Sequence, residues 1–375
     1  MQDHAVDSVP DLICLSHLRW NWVFQRPQHL MMRAARERRV FVYEEPVQSG
    51  GRVALEVQRP AGNVWVLTPH LPAGATVEER TALLRSLLDE AMASYAVSAH
   101  ILWYYTPMAL PFTRHLQPLR VVYDCMDELS AFAGAPPELR SLEQELLQRA
   151  HVVFTGGHAL HETKSLLHPN VHAMPSSVDA AHFATARDRA VEPADQALLP
   201  RPRLGFAGVI DERLDIELLR SIARRRRDWQ LVLLGPVTKI DPNILPREPN
   251  ISWLGPKQYE ELPAYLSGWD VGLIPFAHNE STRFLSPTKT PEYLAAGCPV
   301  VSTSIRDVAR TYGAAGLARI ADGAPAFVAA IESALRDRTP TWLDRVDRHL
   351  ALQSWDVTWN EMERLMNTAN TQAAA

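Results

Sequence analysis

The sequence predicts an α/β protein of two doubly wound, Rossmann-like domains that face each other across a cleft. In both halves of the chain, short apolar runs typical of buried parallel strands alternate with segments of helical periodicity. At 375 residues, the chain also exceeds the size at which a single hydrophobic core keeps growing. Together these observations favour one such domain in each half.

A stretch rich in Ala, Asp, Arg and Pro, without a clear period, separates the halves and is typical of a linker. We therefore expect an N-terminal domain over residues 1–185, a linker over 186–202 and a C-terminal domain over 203–353. The tail, residues 354–375, carries apolar residues at helical spacing, which predicts an amphipathic helix.

The composition is that of an ordinary globular protein, with 46% hydrophobic and 22% charged residues. No apolar run approaches the roughly 18 residues of a membrane-spanning helix, and the N-terminus lacks a signal-peptide layout, so we expect a cytoplasmic location. A net charge of −5 gives no case for nucleic acid as a partner. Cys14, Cys125 and Cys298 lie in apolar runs without metal-ligand spacing, which is typical of reduced core residues.

The first predicted strand, Leu12–Ser16, leads into a loop rich in aromatic and cationic residues. In an open α/β sheet, such a loop faces the crevice at the carboxyl ends of the strands, where ligands bind. The alternative is that the loop's tryptophans pack in the core and its arginine pairs with a neighbouring acid. A later strand delivers one more aromatic residue to the same edge. The candidates on this side of the cleft are His17, Arg19, Trp20, Arg26 and Tyr105.

The strand Arg120–Asp124 is followed by Cys-Met-Asp-Glu, which puts carboxylates at a strand's carboxyl end. α/β enzymes hold catalytic bases at such positions. We favour Asp127 as the base that takes a proton from a substrate hydroxyl. The alternative is that Asp124 or Asp127 caps the following helix.

The stretch 284–304, FLSPTKTPEYLAAGCPVVSTS, predicts a short helix that ends at Gly297 and a buried strand after it. The loop before the helix offers hydroxyls, one ammonium group and free backbone amides, where a phosphate would sit. An acid one turn into the helix would lie near whatever the phosphate carries. The alternative is an ordinary helix–strand unit with solvated charges. The candidate ligand-binding residues here are Ser286, Thr288, Lys289 and Glu292.

A second phosphate contact is predicted at the start of the C-terminal half. Gly208 follows a strand, where a glycine lets the backbone approach a ligand closely. Arg213 can reach a diphosphate from the start of the next helix. A pair of cations, Arg213 and Lys289, could replace a metal ion by neutralising the charge that grows on a leaving group. No Asp-x-Asp metal signature occurs, so we expect neither metal nor cofactor.

The pattern S-P-x-K-x-x-E-Y-L-A-A-G-x-P-V-V resembles the donor-binding motif of GT-B fold glycosyltransferases, especially the bacterial enzymes near family four, also called group 1. The string W-N-x-V-F-Q-R-P-Q-H is similar to the acceptor-side loop of the surface-polysaccharide members. The resemblance implies that the motif's helix N-terminus takes the diphosphate of a sugar nucleotide and that Glu292 binds its ribose hydroxyls. It also implies that His158 can reach the cleft and that the last helix crosses back to the first domain.

The implied function is transfer of a hexose from a UDP-, GDP- or dTDP-sugar to a hydroxyl of a glycan or lipid-linked acceptor, in polysaccharide or glycoconjugate assembly. A lipid-linked acceptor would also imply peripheral association with the membrane. In some inverting members, an aspartate after a stretch similar to Val122–Asp127 is the base.

One position departs from the family pattern, which has a second glutamate eight residues before Glu292 where this chain has Phe284. Two alternatives to a transferase stay open. One is a sugar-nucleotide epimerase on the same scaffold, which would bind the donor without an acceptor. The other is a nucleotide-sugar-binding protein without catalysis.

Overall fold

The computed structural model of the chain describes residues 9–188 and 192–368. Within these ranges the strands form two sheets, one in each half of the chain. None of the helices in the described ranges combines the length and the apolar character that crossing a bilayer requires.

The first sheet contains nine of the described strands: β1 (Asp11–Ser16), β2 (Val40–Glu44), β3 (Val47–Ser49), β4 (Ala54–Ala61), β5 (Val64–Pro72), β6 (His100–Tyr104), β7 (Arg120–Cys125), β8 (Val152–Thr155) and β9 (Val171–Ala173). Their spatial order is β3-β5-β2-β1-β6-β7-β8-β9, with parallel pairing throughout this path. β4 pairs antiparallel with β5, an edge that the sequence did not predict.

Helices cover both faces of this sheet. Successive strand residues point to opposite sides, and the strands carry apolar residues on both. Ile13 and Leu15 of β1 face one core with the leucine-rich helices, while Leu12 and Cys14 face the other. The helices of this half are α1 (Arg26–Ala34), α2 (Val77–Ser94), α3 (Leu110–Thr113), α4 (Leu139–Arg149), α5 (His158–Lys164) and α6 (Ala180–Ala184).

The second sheet is parallel and contains β10 (Arg203–Ala207), β11 (Gln230–Leu234), β12 (Ile251–Gly255), β13 (Val271–Ile274), β14 (Val300–Ser302) and β15 (Ala318–Ile320). The order β12-β11-β10-β13-β14-β15 is that of a doubly wound domain. The remaining helices are α7 (Ala194–Ala197), α8 (Ile216–Arg225), α9 (Leu262–Ser267), α10 (Lys289–Ala295), α11 (Arg306–Val308), α12 (Ala324–Ala334), α13 (Pro340–Leu350) and α14 (Trp355–Thr368).

The helix and strand predicted within residues 284–304 are confirmed as α10 and β14. Gly297 follows α10 with φ +72°, a left-handed conformation that glycine adopts without steric cost. Within the segment predicted as a linker, α7 packs against the second domain. The Gln196 side chain there accepts a hydrogen bond from Trp269 Nε1 and donates one to the Tyr265 carbonyl, both at 2.9 Å.

The last helix, α14, packs against the first sheet although it follows the second domain in sequence. Trp355, Trp359 and Met362 are buried in the same cluster as Trp103 of β6. The ring centroids of Trp359 and Trp103 are 5.9 Å apart. Burial of large apolar side chains contributes about 1.5–3 kcal/mol each, so this helix ties the chain's end firmly to the first domain.

Candidate active site

A cleft of about 430 Å³ lies at the carboxyl ends of both sheets. Its walls come from segments that follow β1, β2, β6 and β7 on one side and β10 and β11 on the other. Open α/β sheets bind ligands at this end of their strands, and small-molecule sites commonly have this volume. The lining includes His17, Trp22, Asp127, Phe132, Arg213 and Lys239.

Asp127 enters the cleft just after β7. Its backbone carbonyl accepts a hydrogen bond from the Leu129 amide at 3.1 Å, which shapes the loop. The short 3₁₀ turn that follows, Leu129–Ala131, has no side-chain cap. Asp127 therefore does not cap the helical turn that follows it. It lines the cleft instead.

Several charges act on the Asp127 carboxylate. Burial raises its pKa above the ordinary value, while the positive charges of Arg213, Arg26 and Lys289 oppose the rise. A carboxylate with a raised pKa is the better proton acceptor, because a general base works best with a pKa near the operating pH.

Arg213 is held rigidly at the C-terminal wall of the cleft. Its Nε lies 2.9 Å from Asp211 Oδ1 and its Nη2 lies 2.7 Å from Asp211 Oδ2, a bidentate pair. The guanidinium carbon lies 5.6 Å from the ring centroid of Phe132, which belongs to the first domain. The cation is therefore fixed in orientation at the junction of the two domains.

Lys289 opens α10, with its ammonium group 5.7 Å from the ring centroid of Phe206 and 5.9 Å from that of Phe276. Burial, followed by the charge of Arg213, lowers its pKa. Gly208 makes room for this side chain, since a Cβ there would lie only 2.1 Å from Lys289 Cε. The glycine thus admits the lysine, a role that differs from the predicted approach of backbone to ligand.

Glu292 is half-buried one turn further along α10. Burial raises its pKa to about 7, although Lys289 and Thr288 favour the charged form. The Tyr259 hydroxyl, on which the charge of Glu292 acts, is buried and has no hydrogen-bond partner among the described residues. The sequence analysis does not select Tyr259, whose hydroxyl is thus an unpaired polar group within electrostatic range of Glu292.

Ser286 and His158 border a different space. Both line a smaller cavity of about 230 Å³ together with Asp307 and Thr311. This cavity lies between the two domains, beside the loop that precedes α10.

Three residues expected on the acceptor side lie in the core instead. Arg26 is fully buried in an ion pair with Asp124, with 2.8 Å between Nη2 and Oδ1, and Nη1 donates to the Met174 carbonyl. Trp20 and Tyr105 are also buried. The prediction for these three is therefore wrong, and the packing alternative holds for Trp20 and Arg26.

The other loop candidates remain near the surface. His17 lines the cleft, and burial with the charge of Lys239 lowers its pKa to about 4, so the imidazole is neutral at pH 7. Arg19 is occupied by Glu44, with 2.9 Å between Nη1 and Oε2. Trp22, two residues beyond the buried Trp20, is 49% exposed and lines the cleft, although it had not been selected.

Replacing Arg26 by Met should reduce the free energy of unfolding by about 3–5 kcal/mol, because Asp124 would be left as an uncompensated buried charge. Urea unfolding measures the change. The matched control is Arg114→Met, whose ion pair with Glu145 is exposed on both sides and whose loss should cost less than about 1 kcal/mol. A small effect at Arg26 would show that its buried pairing is not structural.

The raised pKa of Glu292 predicts a pH-dependent cost to the ligand-free protein. The folded state binds this proton more tightly than the unfolded chain, so stability is lost as pH rises from about 4.5 through about 7. Glu292→Gln removes that cost. We expect the variant to be about 1–3 kcal/mol more stable than wild type at pH 8, with a much smaller gain at pH 5.

Urea unfolding at both pH values checks this sign, with the exposed Glu260→Gln as control. A gain of equal size at pH 5 and pH 8 would rule out the titration of Glu292 as its source.

Comparisons with known proteins bear on the family and the fold. The family model for glycosyl transferases group 1 matches residues 201–337. The putative teichuronic acid biosynthesis glycosyltransferase TuaH of Bacillus subtilis is 28% identical over 310 residues, which cover 77% of this chain and 72% of that protein.

Solved structures share the fold at low identity. Sucrose-phosphate synthase from Thermosynechococcus elongatus superposes with a TM-score of 0.74 at 16% identity, covering 98% of this chain and 100% of that one. Anabaena HepE in complex with UDP gives a TM-score of 0.67 at 12% identity, covering 96% and 100%. The resemblance is thus confirmed: the protein is a glycosyltransferase with the GT-B fold. Its second domain is a group 1 glycosyl transferase domain.

Proposed function

We propose that the cleft transfers a sugar from a nucleoside diphosphate sugar to a hydroxyl of a glycan or lipid-linked acceptor, in the assembly of a bacterial polysaccharide. The acceptor class is suggested by TuaH, which is named for teichuronic acid biosynthesis. The donor class is suggested by HepE, which was solved with UDP. A lipid-linked acceptor would keep the protein at the cytoplasmic face of the membrane.

One observation carries the proposal. Asp127, Arg213 and Lys289 come from three separate segments, yet each lies within electrostatic range of the other two. A carboxylate and two cations within electrostatic range of one another are the groups that an inverting displacement uses, one for the attacking hydroxyl and two for the leaving diphosphate.

In the proposed reaction, Asp127 takes the proton of the acceptor hydroxyl as its oxygen attacks the anomeric carbon. The bond from that carbon to the diphosphate oxygen breaks, and the electron pair leaves with the nucleoside diphosphate. Arg213 and Lys289 neutralise the charge that grows there, a task that metal ions perform in many phosphate sites. We therefore propose that the reaction needs no metal, and that Glu292 accepts hydrogen bonds from the ribose.

The acceptor would lie on the wall formed by the first domain. Trp22 and Phe132 present aromatic surface to the cleft, which suits the apolar faces of sugar rings. His17, neutral at pH 7, adds a polar group beside them that can orient a hydroxyl.

A thermal-shift panel of UDP-, GDP- and dTDP-sugars tests the donor class, since a ligand that binds only the folded protein raises its melting temperature. We expect one nucleotide series to raise it, and the matching sugar phosphates without nucleoside to leave it unchanged. No shift with any series would count against the proposal. Loss of transfer on adding EDTA would refute its metal-independent part.

A further inference from the structure

Helix α5 and the two glycines before it lie between the Asp127 loop and the second domain. A Cβ on Gly156 would lie 2.2 Å from the Met126 carbonyl oxygen, directly beside Asp127. A Cβ on Gly157 would lie 2.1 Å from Asp307 Oδ2 and 2.6 Å from Ser286 Cβ. The glycine pair therefore permits close packing on both sides.

On the side of the second domain, the buried Asp307 carboxylate caps α5. It accepts hydrogen bonds from the amides of His158, at 2.8 Å, and Ala159, at 3.0 Å. Two arginines next to it pair with Glu162 of α5, each at 2.6 Å. The start of α5 is thus tied to the second domain, because Asp307 satisfies two backbone amides at the N-terminus of the helix.

On the other side, the last residue of α5 holds the Asp127 loop. The Lys164 ammonium is buried, 2.7 Å from Glu128 Oε2 and 2.7 Å from Glu143 Oε1. Glu143 also accepts a hydrogen bond from the Tyr123 hydroxyl at 2.7 Å, which anchors it to β7. Glu128 is the residue after Asp127, so Lys164 fixes the backbone on which the proposed base is carried.

We propose that α5 couples the position of the second domain to the loop that carries Asp127, with Lys164 as a positioning residue. Lys164 is 2% exposed and does not line the cleft, so its effect passes through Glu128. The catalytic part of this inference rests on the proposed function of Asp127, whereas the mechanical part does not.

The mechanical part is tested without ligand by amide hydrogen exchange of residues 126–131. We expect about tenfold faster exchange in Lys164→Met than in wild type, because the loop opens locally when its anchor is lost. Lys164→Arg, which can still bridge both glutamates, should stay near wild type. Should Lys164→Met not fold, Glu128→Gln replaces it, since the Lys164–Glu143 pair remains. If residues 126–131 exchange at the wild-type rate in Lys164→Met, or in Glu128→Gln where it replaces that variant, the proposal is overturned.

Coupling between the domains is tested with Gly157→Ala, using Gly50→Ala as the matched control, where a Cβ meets open space. UDP, GDP and dTDP are the probes. In wild type and Gly50→Ala, the nucleotide that protects residues 286–292 should also slow exchange at 126–131. In Gly157→Ala the nucleotide should still protect residues 288–292, but it should no longer slow exchange at residues 126–131.

These exchange experiments separate the proposed coupling through α5 from the proposed function. Equal slowing at 126–131 in Gly157→Ala and wild type would overturn the coupling and leave the proposed function intact. If no probe protects residues 286–292, the proposed donor site fails, and the coupling is then judged by ligand-free exchange at residues 126–131, which should be faster in Gly157→Ala than in Gly50→Ala; equal rates would overturn it.

Turnover gives an independent readout of positioning. We expect Lys164→Met to lower kcat by about 10–100-fold, as small misplacements of a catalytic group do. The KM for the sugar nucleotide should change little, since the donor residues lie in the other domain, and Lys164→Arg should recover most of the rate. With kcat referred to the concentration of nucleotide-binding sites, an unchanged kcat would contradict the assigned role.

Discussion

Replacing Asp127 by Asn should lower kcat by about 10²–10⁴-fold, the range that a general base contributes, while the protein still binds the donor. The amide is nearly isosteric but cannot take a proton at neutral pH. Burial raises the pKa of Asp127, so the wild-type rate should fall at acid pH with a pKa above the ordinary carboxyl value. The measurement is kcat against pH for both proteins.

The matched control is Asp344→Asn, an exposed carboxylate on α13, which should leave kcat unchanged. If Asp127→Asn retains wild-type turnover, Asp127 is not the base. If it loses donor binding as well as turnover, its charge supports the site in another way. Continued turnover of the donor without any acceptor would instead favour an epimerase.

Replacing Lys289 by Met should lower kcat/KM by about 10²–10³-fold, the loss seen when one group that stabilises a developing negative charge is removed. The free energy of unfolding, by contrast, should not decrease. Burial lowers the pKa of Lys289, so the folded ligand-free protein disfavours the charged form, and the apolar variant should be at least as stable as wild type. Initial rates and urea unfolding measure the two effects.

Lys257→Met is the matched control, since that lysine pairs with Asp195 at 2.7 Å and, unlike Lys289, is not among the charges that act on Asp127. Its kcat/KM should stay at the wild-type value. A Lys289→Met protein that is inactive and also less stable would indicate a structural role for this lysine.

The site's main charges could be predicted from sequence because a local rule places them. Apolar runs mark parallel strands, and the residues directly after such strands must gather at one edge of the sheet. Asp127 after β7 and Arg213 after β10 follow this rule, and both line the cleft. Lys289 follows from a second local signal, a loop that leads into a short helix. The roles of these residues remain predictions.

The errors arose where side-chain direction decides the outcome. Trp20 and Trp22 are two residues apart in one loop, yet the first is 9% and the second 49% exposed. Arg26 pairs with Asp124, which is 98 residues further along the chain, so no local pattern could reveal that pair. In sequence, a glycine pair before a helix indicates only a tight turn or a weak phosphate signal. The close packing of glycines 156 and 157 depends on contacts with the Asp127 loop and with the second domain, which no local pattern shows.

Calorimetric titration of wild type and Glu292→Ala with UDP, GDP and dTDP tests most directly whether a nucleoside diphosphate binds beside α10. We predict that one of the three binds wild type, and that Glu292→Ala binds it about 10–100-fold more weakly, since hydrogen bonds to a charged group contribute about 1.5–3 kcal/mol. Equal affinity in both proteins, or no binding by any of the three, would contradict the proposed donor site.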